Sequence, residues 1–249
     1  MDSMSRRRSA ILTHLSQHGQ ASVHELSELT GVSVVTMRQD LAALEQDGFI
    51  RRTHGGATLL DSENIAHRLS IRYDKKLRIA EMAAALVDEG ETVLLESGSA
   101  NALLARELAK RQVQVVAANA FVARQVHRGD AANVVILGGI YQPDSESIVG
   151  QLAKLGIEST FFSKAFLGMD GFTEETGFTN RDMMRAEIAT LIIKRCPKSY
   201  ILADSSKFGN TGLARICGLD DLAGVITNTD LPEPYRRAID SSKAELYLA

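Results

Sequence analysis

The sequence predicts an α/β protein built from two domains of unequal size. Residues 1–58 carry apolar residues at helical spacing and end in a Gly-Gly turn, which predicts a small helical domain with a β-hairpin. Residues 59–74 are polar and weakly periodic, as expected of a linker. Residues 75–249 alternate short apolar runs with helical stretches, a pattern typical of a doubly wound, mostly parallel sheet that is covered on both faces.

The small domain begins with two predicted amphipathic helices. Their apolar faces are formed by Ile11, Leu12 and Leu15 in the first helix, and by Val23, Leu26 and Leu29 in the second. Gly31 follows at the place where the end of a helix needs a residue with positive φ. A tight turn after the second helix is therefore expected.

A third helix is predicted to begin after Ser33, which can act as its N-cap. Met37, Leu41 and Leu44 share the face that packs on the first two helices. The opposite face presents polar, methyl-bearing and guanidinium groups near the start of the helix: Val34, Val35, Thr36, Arg38 and Gln39. Such groups suit a DNA major groove, where Arg reads guanine, Gln reads adenine and methyl groups contact thymine.

A basic hairpin follows the third helix. Gly48 is expected to end that helix, a strand begins at Phe49, and Gly55-Gly56 turns the chain back. The side chains of Arg51, Arg52 and His54, which precede this turn, can donate hydrogen bonds to DNA phosphates. Three helices followed by such a hairpin predict a winged helix-turn-helix. The predicted DNA contacts are Ser33, Val34, Thr36, Arg38, Gln39, Arg51, Arg52 and His54.

Two alternatives apply to this domain. Amphipathic helices are often merely core-forming, and a winged fold can serve protein contacts alone as a scaffold. Cations in a Gly-Gly hairpin are poorly explained by packing, which favours DNA binding. Over residues 1–60 the arginines are balanced by as many carboxylates, so the arginines must cluster on one face for phosphate binding.

The larger domain is predicted to alternate strands and helices. Strands are expected at 92–95, 113–117, 134–137, 165–167, 200–203, 224–227 and 246–248. Helices are expected at 75–87, 100–110, 121–127 and 183–195. In such sheets, ligands bind beyond the carboxyl ends of the strands, so the residues that follow the strands are the candidate ligand contacts.

Ser97, Gly98 and Ser99 follow the first strand of this domain and open a helix. Small residues let the backbone approach a ligand, and the amides at a helix N-terminus attract an anion such as phosphate. A tight strand-to-helix turn that needs glycine would explain the same residues without a ligand. The two serines beside the glycine favour the ligand.

Other small or polar residues follow later strands: Asn119, Gly138, Gly139, Asp170, Gly171, Thr179 and Lys207. Asn119 could bond a sugar hydroxyl or only cap a helix, and the Gly-Gly pair could be only a turn. Asp170, and Thr179 in the loop after it, suit sugar hydroxyls, while Lys207 supplies positive charge toward a phosphate. Their common position at strand ends predicts one shared pocket.

The run GVSVVTMRQDLAALEQDGFIRRTHGGA resembles the signature of the DeoR family of bacterial transcriptional regulators. Further motifs continue the resemblance in the family's order along nearly the whole chain: ESGSAN, VVILGGIY, SESIVG, KAFLGMDG, GFTNRDMMRAEI and LADSSKFG. The resemblance implies a DNA-binding repressor of carbohydrate genes. It also implies a C-terminal domain that senses a phosphorylated sugar or related metabolite.

The sequence departs from the family's usual pattern near the predicted pocket. The family usually has DAGST where this chain has ESGSA, and TNS where it has Ala118-Asn119-Ala120. The loop that often carries acidic residues has Arg181 and Arg185 here, which could add affinity for an anion or pair with acidic neighbours. These changes point to an unusual effector.

The main rival function comes from the same resemblance, because the family's C-terminal domain is similar in fold to ribose-phosphate isomerases and related sugar-phosphate enzymes. An isomerase fused to a DNA-binding domain would need a positioned base, and Asp170, Glu187 and Lys207 are chemically adequate candidates. Nothing in the sequence demands turnover, so binding without catalysis is the preferred interpretation.

Composition describes an ordinary soluble protein with a formal net charge of −3. We expect no secretory leader, no membrane span and no cofactor. Cys196 and Cys217 lack metal-ligand spacing and are expected to be reduced core thiols of a cytoplasmic protein. A homo-oligomer is expected because symmetric operators need symmetric proteins.

Overall fold

The computed structural model describes residues 3–46, 49–59, 68–69, 71–126 and 131–249. The chain divides into two compact units, Met1–Asp74 and Lys75–Ala249. Most of the predicted linker at 59–74, and the helix end predicted at Gly48, lie outside the described residues. Within the described residues, none of the helices combines the length and apolar character that crossing a bilayer requires.

The first unit packs helices against a small antiparallel sheet. Its elements are α1 (Ser3–His18), β1 (Gln20–Ser22), α2 (Val23–Thr30), α3 (Val34–Gln46), β2 (Ile50–Thr53) and β3 (Gly56–Leu59). The strand order is β1-β3-β2, so the hairpin β2–β3 is joined to the strand that precedes α2. This is the winged helix-turn-helix that the sequence predicts.

Both ends of α2 follow from the sequence. Ser22 and Glu25 form a capping box, in which the Ser22 hydroxyl accepts a hydrogen bond from the Glu25 amide at 3.1 Å. Gly31 ends the helix with a φ of 67°, a left-handed conformation that costs glycine no side-chain strain. The tight turn predicted at this glycine is confirmed.

The core of the first unit contains the predicted apolar residues with one exception. Ile11, Leu12, Leu15, Leu26, Met37, Leu41 and Leu44 are at most 1% exposed. Leu29 was expected in the same core, and this prediction is wrong because Leu29 is 49% exposed. Three residues of an α-helix turn about 300°, which is about 60° less than a full turn. Leu29 lies six residues after Val23 and is therefore rotated by about 120° away from the buried face.

The second unit contains the following elements in chain order: α4 (Tyr73–Ala85, which begins just before the unit), β4 (Thr92–Leu95), α5 (Ser99–Leu108), β5 (Gln114–Ala117), α6 (Ala120–Val126), β6 (Asn133–Ile136), β7 (Ile140–Gln142), β8 (Ser147–Val149), α7 (Gln151–Ser159), β9 (Lys164–Leu167), β10 (Gly171–Thr173), β11 (Gly177–Asn180), α8 (Met183–Arg195), β12 (Ser199–Leu202), β13 (Ala214–Cys217), β14 (Gly224–Thr227), α9 (Glu233–Asp240) and β15 (Glu245–Leu248). Short 3₁₀ turns lie at Ser205–Lys207 and Leu219–Asp221.

A seven-stranded sheet in the order β15-β14-β12-β9-β4-β5-β6 organises the unit, and every neighbouring pair is parallel. Val93, Leu94 and Leu95 are all 0% exposed although their side chains alternate between faces, so both faces of β4 are covered. The predicted parallel α/β fold is confirmed. The strand order reverses between β4 and β9, and the crevice at such a switch point is where ligands bind in sheets of this type.

Several short elements were not predicted from the sequence. The strands β10, β11 and β13 form a separate antiparallel sheet, and β7 pairs with β8 in a hairpin. These strands have only three or four residues each, too few to show a period. Thr179 was expected in a loop, and this placement is wrong because Thr179 lies on β11, where Gly171–Thr173 pairs with Gly177–Thr179.

Cys196 and Cys217 are free and buried. Burial raises the pKa of both thiols, and it raises that of Cys217 to about 12. Both side chains therefore act as apolar packing groups rather than as reactive thiolates.

Candidate functional site

The exposed face of α3 is the first candidate surface. The Thr36 amide donates to the Ser33 hydroxyl at 3.2 Å, so Ser33 caps α3 as predicted. Arg38 and Gln39 are exposed, whereas Val34 and Thr36 are half-buried. Among the described residues, no group pairs with the Arg38 guanidinium. The start of α3 thus presents a free guanidinium and an amide beside methyl groups.

The hairpin β2–β3 carries the second set of predicted contacts. Arg51, Arg52 and His54 are all exposed. The Arg52 amide donates to a Glu45 carboxylate oxygen at 2.8 Å, which fastens the hairpin to the end of α3. The turn consists of His54 and Gly55, so Gly56 lies in β3 rather than in the turn as expected. This geometry holds the cations of the hairpin beside the helix that carries Arg38.

An ion pair removes one arginine and one carboxylate from the surface of this unit. Arg7 binds Asp40 with two hydrogen bonds, of which the Nη2–Oδ1 contact is 3.1 Å long. Asp40 is 6% exposed, so the pair joins α1 to α3 inside the unit. Removing the Asp40 carboxylate from the exposed face of α3 leaves the positive charges of Arg38, Arg51 and Arg52 less opposed.

In the second unit, the loops after β4 and β9 meet at the switch point. A Cβ atom added to Gly168 would lie 2.7 Å from the Ser97 carbonyl oxygen, so only glycine fits between the loops. Gly98 has a φ of 107° and lies directly before α5, whose first residue is Ser99. The predicted residues Ser97, Gly98 and Ser99 therefore sit where the loops cross, with the α5 N-terminus beside them.

Glu96 joins these two loops, and sequence analysis did not select it as a site residue. Its carboxylate accepts hydrogen bonds from the Ser97 hydroxyl at 2.8 Å and from the Gly168 amide at 3.3 Å. Burial raises the pKa of Glu96, although the nearby Arg185 charge opposes that shift. The sequence does contain a signal for Glu96, because this residue directly follows a strand and precedes the Ser97-Gly98-Ser99 turn.

Asp170 faces the start of α8 from the β9 loop. Its Oδ2 atom accepts a hydrogen bond of 2.6 Å from the Arg185 guanidinium and one of 3.0 Å from the Arg181 amide. Both side chains of the ion pair are only 9% exposed. Of the two interpretations offered for Arg185, the structure shows the acidic pairing, and it places that guanidinium beside Glu96 and the switch point.

Asn119 is a helix cap in this structure. Its Oδ1 atom accepts from the Val122 amide at 3.0 Å, and its Nδ2 atom donates to the Ser145 carbonyl at 2.8 Å. The residue is 0% exposed. Both ends of the side chain amide are thus engaged in fixing the start of α6 and the turn of the β7–β8 hairpin.

The β7–β8 hairpin spans two of these regions. At one end the Ala120 amide donates to the Glu146 carbonyl at 2.8 Å. At the same turn, Gln142 Nε2 donates to Asp182 Oδ2 at 3.2 Å, and Asp182 is the N-cap of α8. Glu146 holds a left-handed φ of 54° and pairs with Arg124. The hairpin therefore ties the start of α6 to the start of α8.

The two glycines after β6 differ. A Cβ atom on Gly139 would lie 2.6 Å from the Val149 carbonyl oxygen, so close packing against β8 explains this glycine without a ligand. Gly138 meets nothing within 4 Å, which leaves its backbone open to a ligand. Close packing thus accounts for Gly139, whereas it gives no reason for glycine at position 138.

Gly171, Thr179 and Lys207 lie around the β10–β11 pair and the loop after β12. The Thr179 hydroxyl donates to the Gly171 carbonyl at 3.0 Å and accepts from the Gly212 amide at 2.8 Å. Thr179 is 2% exposed, so its hydroxyl serves the sheet. Lys207 is half-buried in the 3₁₀ turn after β12, a strand that neighbours β9.

The structure thus brings Ser97, Gly98 and Ser99 together with the β9 loop that leads to Asp170. Asn101 also belongs to this group, because its Nδ2 atom donates to the Ser97 carbonyl at 2.6 Å. Two surface cavities of about 560 Å³ and 440 Å³ lie elsewhere, and none of the predicted effector contacts lines either of them. The helix amides and the guanidinium near the switch point suit an anionic ligand.

Comparison with protein families gives two matches that together cover most of the chain. Residues 7–63 match the DeoR-like helix-turn-helix domain. Residues 71–229 match the DeoR C terminal sensor domain. Each match falls on one of the two regions described above.

Named transcriptional regulators match this chain along most of their length and of its own. The chain is 32% identical over 230 residues to the HTH-type transcriptional regulator GolR of Listeria innocua, covering 90% of this chain and 91% of that one. It is 30% identical over 228 residues to the uncharacterised HTH-type transcriptional regulator FruR of Bacillus subtilis, with coverage of 90% and 91%. It is 30% identical over 211 residues to the lactose phosphotransferase system repressor of Lactococcus lactis, covering 82% of each chain.

Two solved structures resemble the chain at low identity. Ribose 5-phosphate isomerase A of Methanocaldococcus jannaschii is 20% identical over 55% of each chain, with a TM-score of 0.41. A probable sor operon regulator of Shigella flexneri is 14% identical, covers 64% of this chain and 86% of that one, and also has a TM-score of 0.41. Likeness of this degree carries no argument about function.

Proposed function

The chain belongs to the DeoR family of transcriptional regulators, and from this premise we propose that it represses carbohydrate-metabolism genes in response to a phosphorylated sugar or related metabolite. The names of relatives support the carbohydrate class, since they include a lactose phosphotransferase system repressor and a putative aga operon transcriptional repressor. We further propose that the protein works in the cytoplasm, where its DNA is.

The DNA-binding role in this proposal rests on α3 and the hairpin. We propose that the base-reading and phosphate contacts are made by Ser33, Val34, Thr36, Arg38, Gln39, Arg51, Arg52 and His54. The exposed Arg38 and Gln39 support the base-reading part, because a bidentate Arg or Gln distinguishes guanine or adenine in the major groove. The exposed cations of the hairpin support the phosphate part.

The effector is proposed to bind at the switch point, and a single observation carries this proposal. The Ser97–Ser99 turn lies at the N-terminus of α5 and directly against the β9 loop. A phosphate fits such a helix N-terminus, and the Arg185 charge acts on Glu96 beside this turn. Lys207, in the turn after the neighbouring strand β12, is proposed to add positive charge. The proposed contacts are Ser97, Gly98, Ser99, Gly138, Asp170, Gly171 and Lys207. Asn119, Gly139 and Thr179, which the sequence also predicted, are left out because contacts within the unit already engage them.

Regulation follows from differential affinity. In the proposed mechanism the protein occupies its operator when the pocket is empty, and an effector that prefers the arrangement with lower DNA affinity releases it. An effector that prefers the arrangement with higher DNA affinity would instead assist repression. The change in operator affinity then equals the difference in effector affinity between the two arrangements.

We propose binding rather than turnover at this pocket. Of the three side chains considered for an isomerase, Glu187 accepts a 2.5 Å hydrogen bond from Lys154 and lines the 440 Å³ cavity instead. Asp170 is occupied by Arg185. Incubation with aldose phosphates should therefore yield no ketose phosphate above background, and turnover that is lost in Asp170→Asn would favour the enzyme.

The proposed function is tested by a gel shift of the full-length protein on DNA upstream of its own gene. Competitor DNA is present in excess, and a panel of phosphorylated sugars is added one at a time. We expect a specific band that one compound releases or strengthens. The absence of any specific band would contradict the DNA-binding role, and a band indifferent to every phosphorylated compound would contradict the proposed effector class.

A further inference from the structure

Val35 is the most exposed large apolar side chain that the structure describes in the first unit. It is 66% exposed, whereas Leu29 and Ile71 are 49% and 41% exposed. A single exposed apolar residue is ordinary on a protein surface, so exposure alone assigns no role to it. The position of Val35 gives its exposure a meaning, because it is the second residue of α3, the proposed recognition helix.

Val35 shares a face of α3 with the two side chains that are proposed to read bases. Arg38 and Gln39 follow it by three and four positions, a spacing that places side chains beside one another on a helix. All three are exposed, whereas Met37 and Leu41 are buried on the side that packs within the unit. The exposed face therefore presents the two methyl groups of valine together with a guanidinium and an amide.

The other methyl-bearing side chains at the start of α3 are less available to a partner. Val34 and Thr36 are half-buried. The Thr36 hydroxyl lies 3.0 Å from the Ser33 hydroxyl, which also accepts a hydrogen bond of 3.2 Å from the Thr36 amide, so Thr36 belongs to the N-cap of the helix. Among the side chains described at this end of α3, Val35 has the most accessible methyl groups.

Neither the core nor helix formation favours valine at position 35. A side chain that is 66% exposed contributes little apolar burial to the folded chain. Valine is also a poorer helix former than alanine, because its β-branched side chain loses rotational freedom against the preceding turn. Contact with a bound partner explains this apolar side chain better than the stability of the free protein does.

The opposite end of the same helix is unsuited to DNA. Glu45 and Gln46 are exposed at the end of α3, and the Glu45 carboxylate accepts a hydrogen bond of 2.8 Å from the Arg52 amide. A carboxylate at that end disfavours close approach of the negatively charged DNA backbone. The first turns of α3 are therefore the part that suits the major groove, as in other helix-turn-helix proteins.

We propose that Val35 contributes to operator specificity by contacting the 5-methyl group of a thymine. The inference rests on the proposed function, because it requires α3 to lie in the major groove of the operator. Thymine is the base that presents a methyl group in that groove, and an apolar side chain selects it by removing the methyl group from water. The expected half-site has a thymine close to the bases that Arg38 and Gln39 contact.

Replacing thymine by uracil tests this contact, because uracil lacks the 5-methyl group but keeps the O4 acceptor and the base pairing of thymine. The probe is DNA from upstream of the protein's own gene, prepared in one form with thymine and in another with uracil at every thymine position. Unrelated DNA of the same length, prepared in both forms, corrects for any general effect of uracil on the duplex. Fluorescence anisotropy gives the dissociation constant of the full-length protein for each of these fragments.

Wild type should bind the thymine form of the upstream DNA about fourfold or more tightly than the uracil form, since removing one methyl group from water contributes roughly this factor. The unrelated DNA should show no such preference. Val35→Ala should lose affinity for the thymine form, and its ratio of affinities for the two upstream forms should fall toward one. Because the substituted side chain is exposed and alanine is a good helix former, the variant should fold, as circular dichroism checks.

Leu29→Ala is the matched control, since it removes an exposed apolar side chain that lies on α2 rather than on α3, and it should keep the wild-type preference for thymine. Equal binding of both upstream forms by wild type would overturn the inference. A preference that is kept in folded Val35→Ala but lost in Val34→Ala would also overturn it, because the contact would then belong to the neighbouring residue. Failure of wild type to bind either upstream form specifically would contradict the proposed function, and the inference with it.

Discussion

Arg38 projects from the exposed side of α3 without a partner among the described residues, while Met37 on the next face is fully buried. A guanidinium fixed at this position on a recognition helix can bond guanine O6 and N7 together. The neighbouring Arg51 differs, because it stands on a hairpin where it can reach phosphate but has no helix to aim it at bases. Substitution of Arg38 should therefore reduce sequence discrimination, whereas substitution of Arg51 should reduce affinity for all DNA.

Arg38→Ala should cost about 1–3 kcal/mol in operator binding and reduce discrimination between operator and unrelated DNA. The measurement is a pair of dissociation constants, one for each DNA, at a single salt concentration. Arg38→Lys keeps the charge and serves as the control for simple electrostatic loss. Unchanged discrimination in Arg38→Ala would refute the base-reading role.

Arg51→Ala should weaken binding to operator and unrelated DNA by a similar factor, because a phosphate contact carries no sequence information. The dependence of log affinity on log salt should become shallower by about one phosphate contact. Titrations at several salt concentrations measure that slope. A loss confined to the operator would show that the hairpin reads bases instead.

Glu96 should make stability depend on pH. Its folded pKa lies above the ordinary value of 4.5, so its protonated form is favoured by the fold. Its contribution is therefore present below the ordinary pKa and is lost as pH rises through the raised one. Wild type should lose free energy of unfolding across that window, and Glu96→Gln should lose less, because glutamine stays neutral.

Urea denaturation at intervals from below pH 4.5 upward measures this difference. The replacement amide can still accept from Gly168 and donate to the Ser97 hydroxyl, so the two loops should remain joined. Glu174→Gln, at an exposed turn, is the control and should follow wild type. Identical pH profiles for Glu96→Gln and wild type would contradict the effect assigned to burial.

At the scale of elements, the hairpin β2–β3 depends on two glycines for different reasons. Gly55 has a φ of 86° and open space around it, while a Cβ on Gly56 would lie 2.3 Å from the Ala21 carbonyl oxygen. Gly56 therefore permits β3 to approach β1, and Gly55 permits the turn. The position of the wing on the helical core is set by the second of these contacts.

Gly56→Ala should displace the wing and weaken binding to all DNA, since backbone must move to admit the methyl group. Gly55→Asn should retain DNA binding close to wild type, because asparagine tolerates the left-handed conformation and suits a two-residue hairpin turn. Dissociation constants for both variants on the same DNA provide the comparison. Equal losses in the two variants would contradict the close packing assigned to Gly56.

At the scale of the whole molecule, the sequence predicted helices and strands better than it predicted which side chains contact each other. The strand Thr92–Leu95 and the helix Met183–Arg195 have the predicted bounds because each is bordered by clear turn residues. The β7–β8 hairpin was missed because its strands are too short to show alternation. The Arg185–Asp170 pair was left as one of two options, since it depends on how α8 packs against the β9 loop.

The predicted pocket shows the same difference. The Ser97–Ser99 turn could be placed at a strand end from glycine and serine alone, but its position at the switch point needed the strand order. Asn119 and Thr179 were selected for their polar groups, and these groups proved to be engaged by neighbouring backbone. The local sequence pattern identifies where a strand ends. The hydrogen-bond partner of each polar side chain depends on residues that are distant in the sequence.

The central claim is that a phosphorylated effector binds at the N-terminus of α5 and thereby changes operator affinity. Ser99→Glu tests it directly, because a carboxylate at the first residue of a helix favours the helix but repels an anionic ligand. Ser99→Gln is the neutral control of the same length.

The decisive measurement is a titration of the preformed operator complex with the sugar phosphate that releases wild type, followed by fluorescence anisotropy. We predict that wild type and Ser99→Gln release DNA over similar concentration ranges, while Ser99→Glu binds DNA equally well but needs at least tenfold more effector, a change of about 1.4 kcal/mol. Release of Ser99→Glu at the wild-type concentration would contradict the account and place the effector elsewhere.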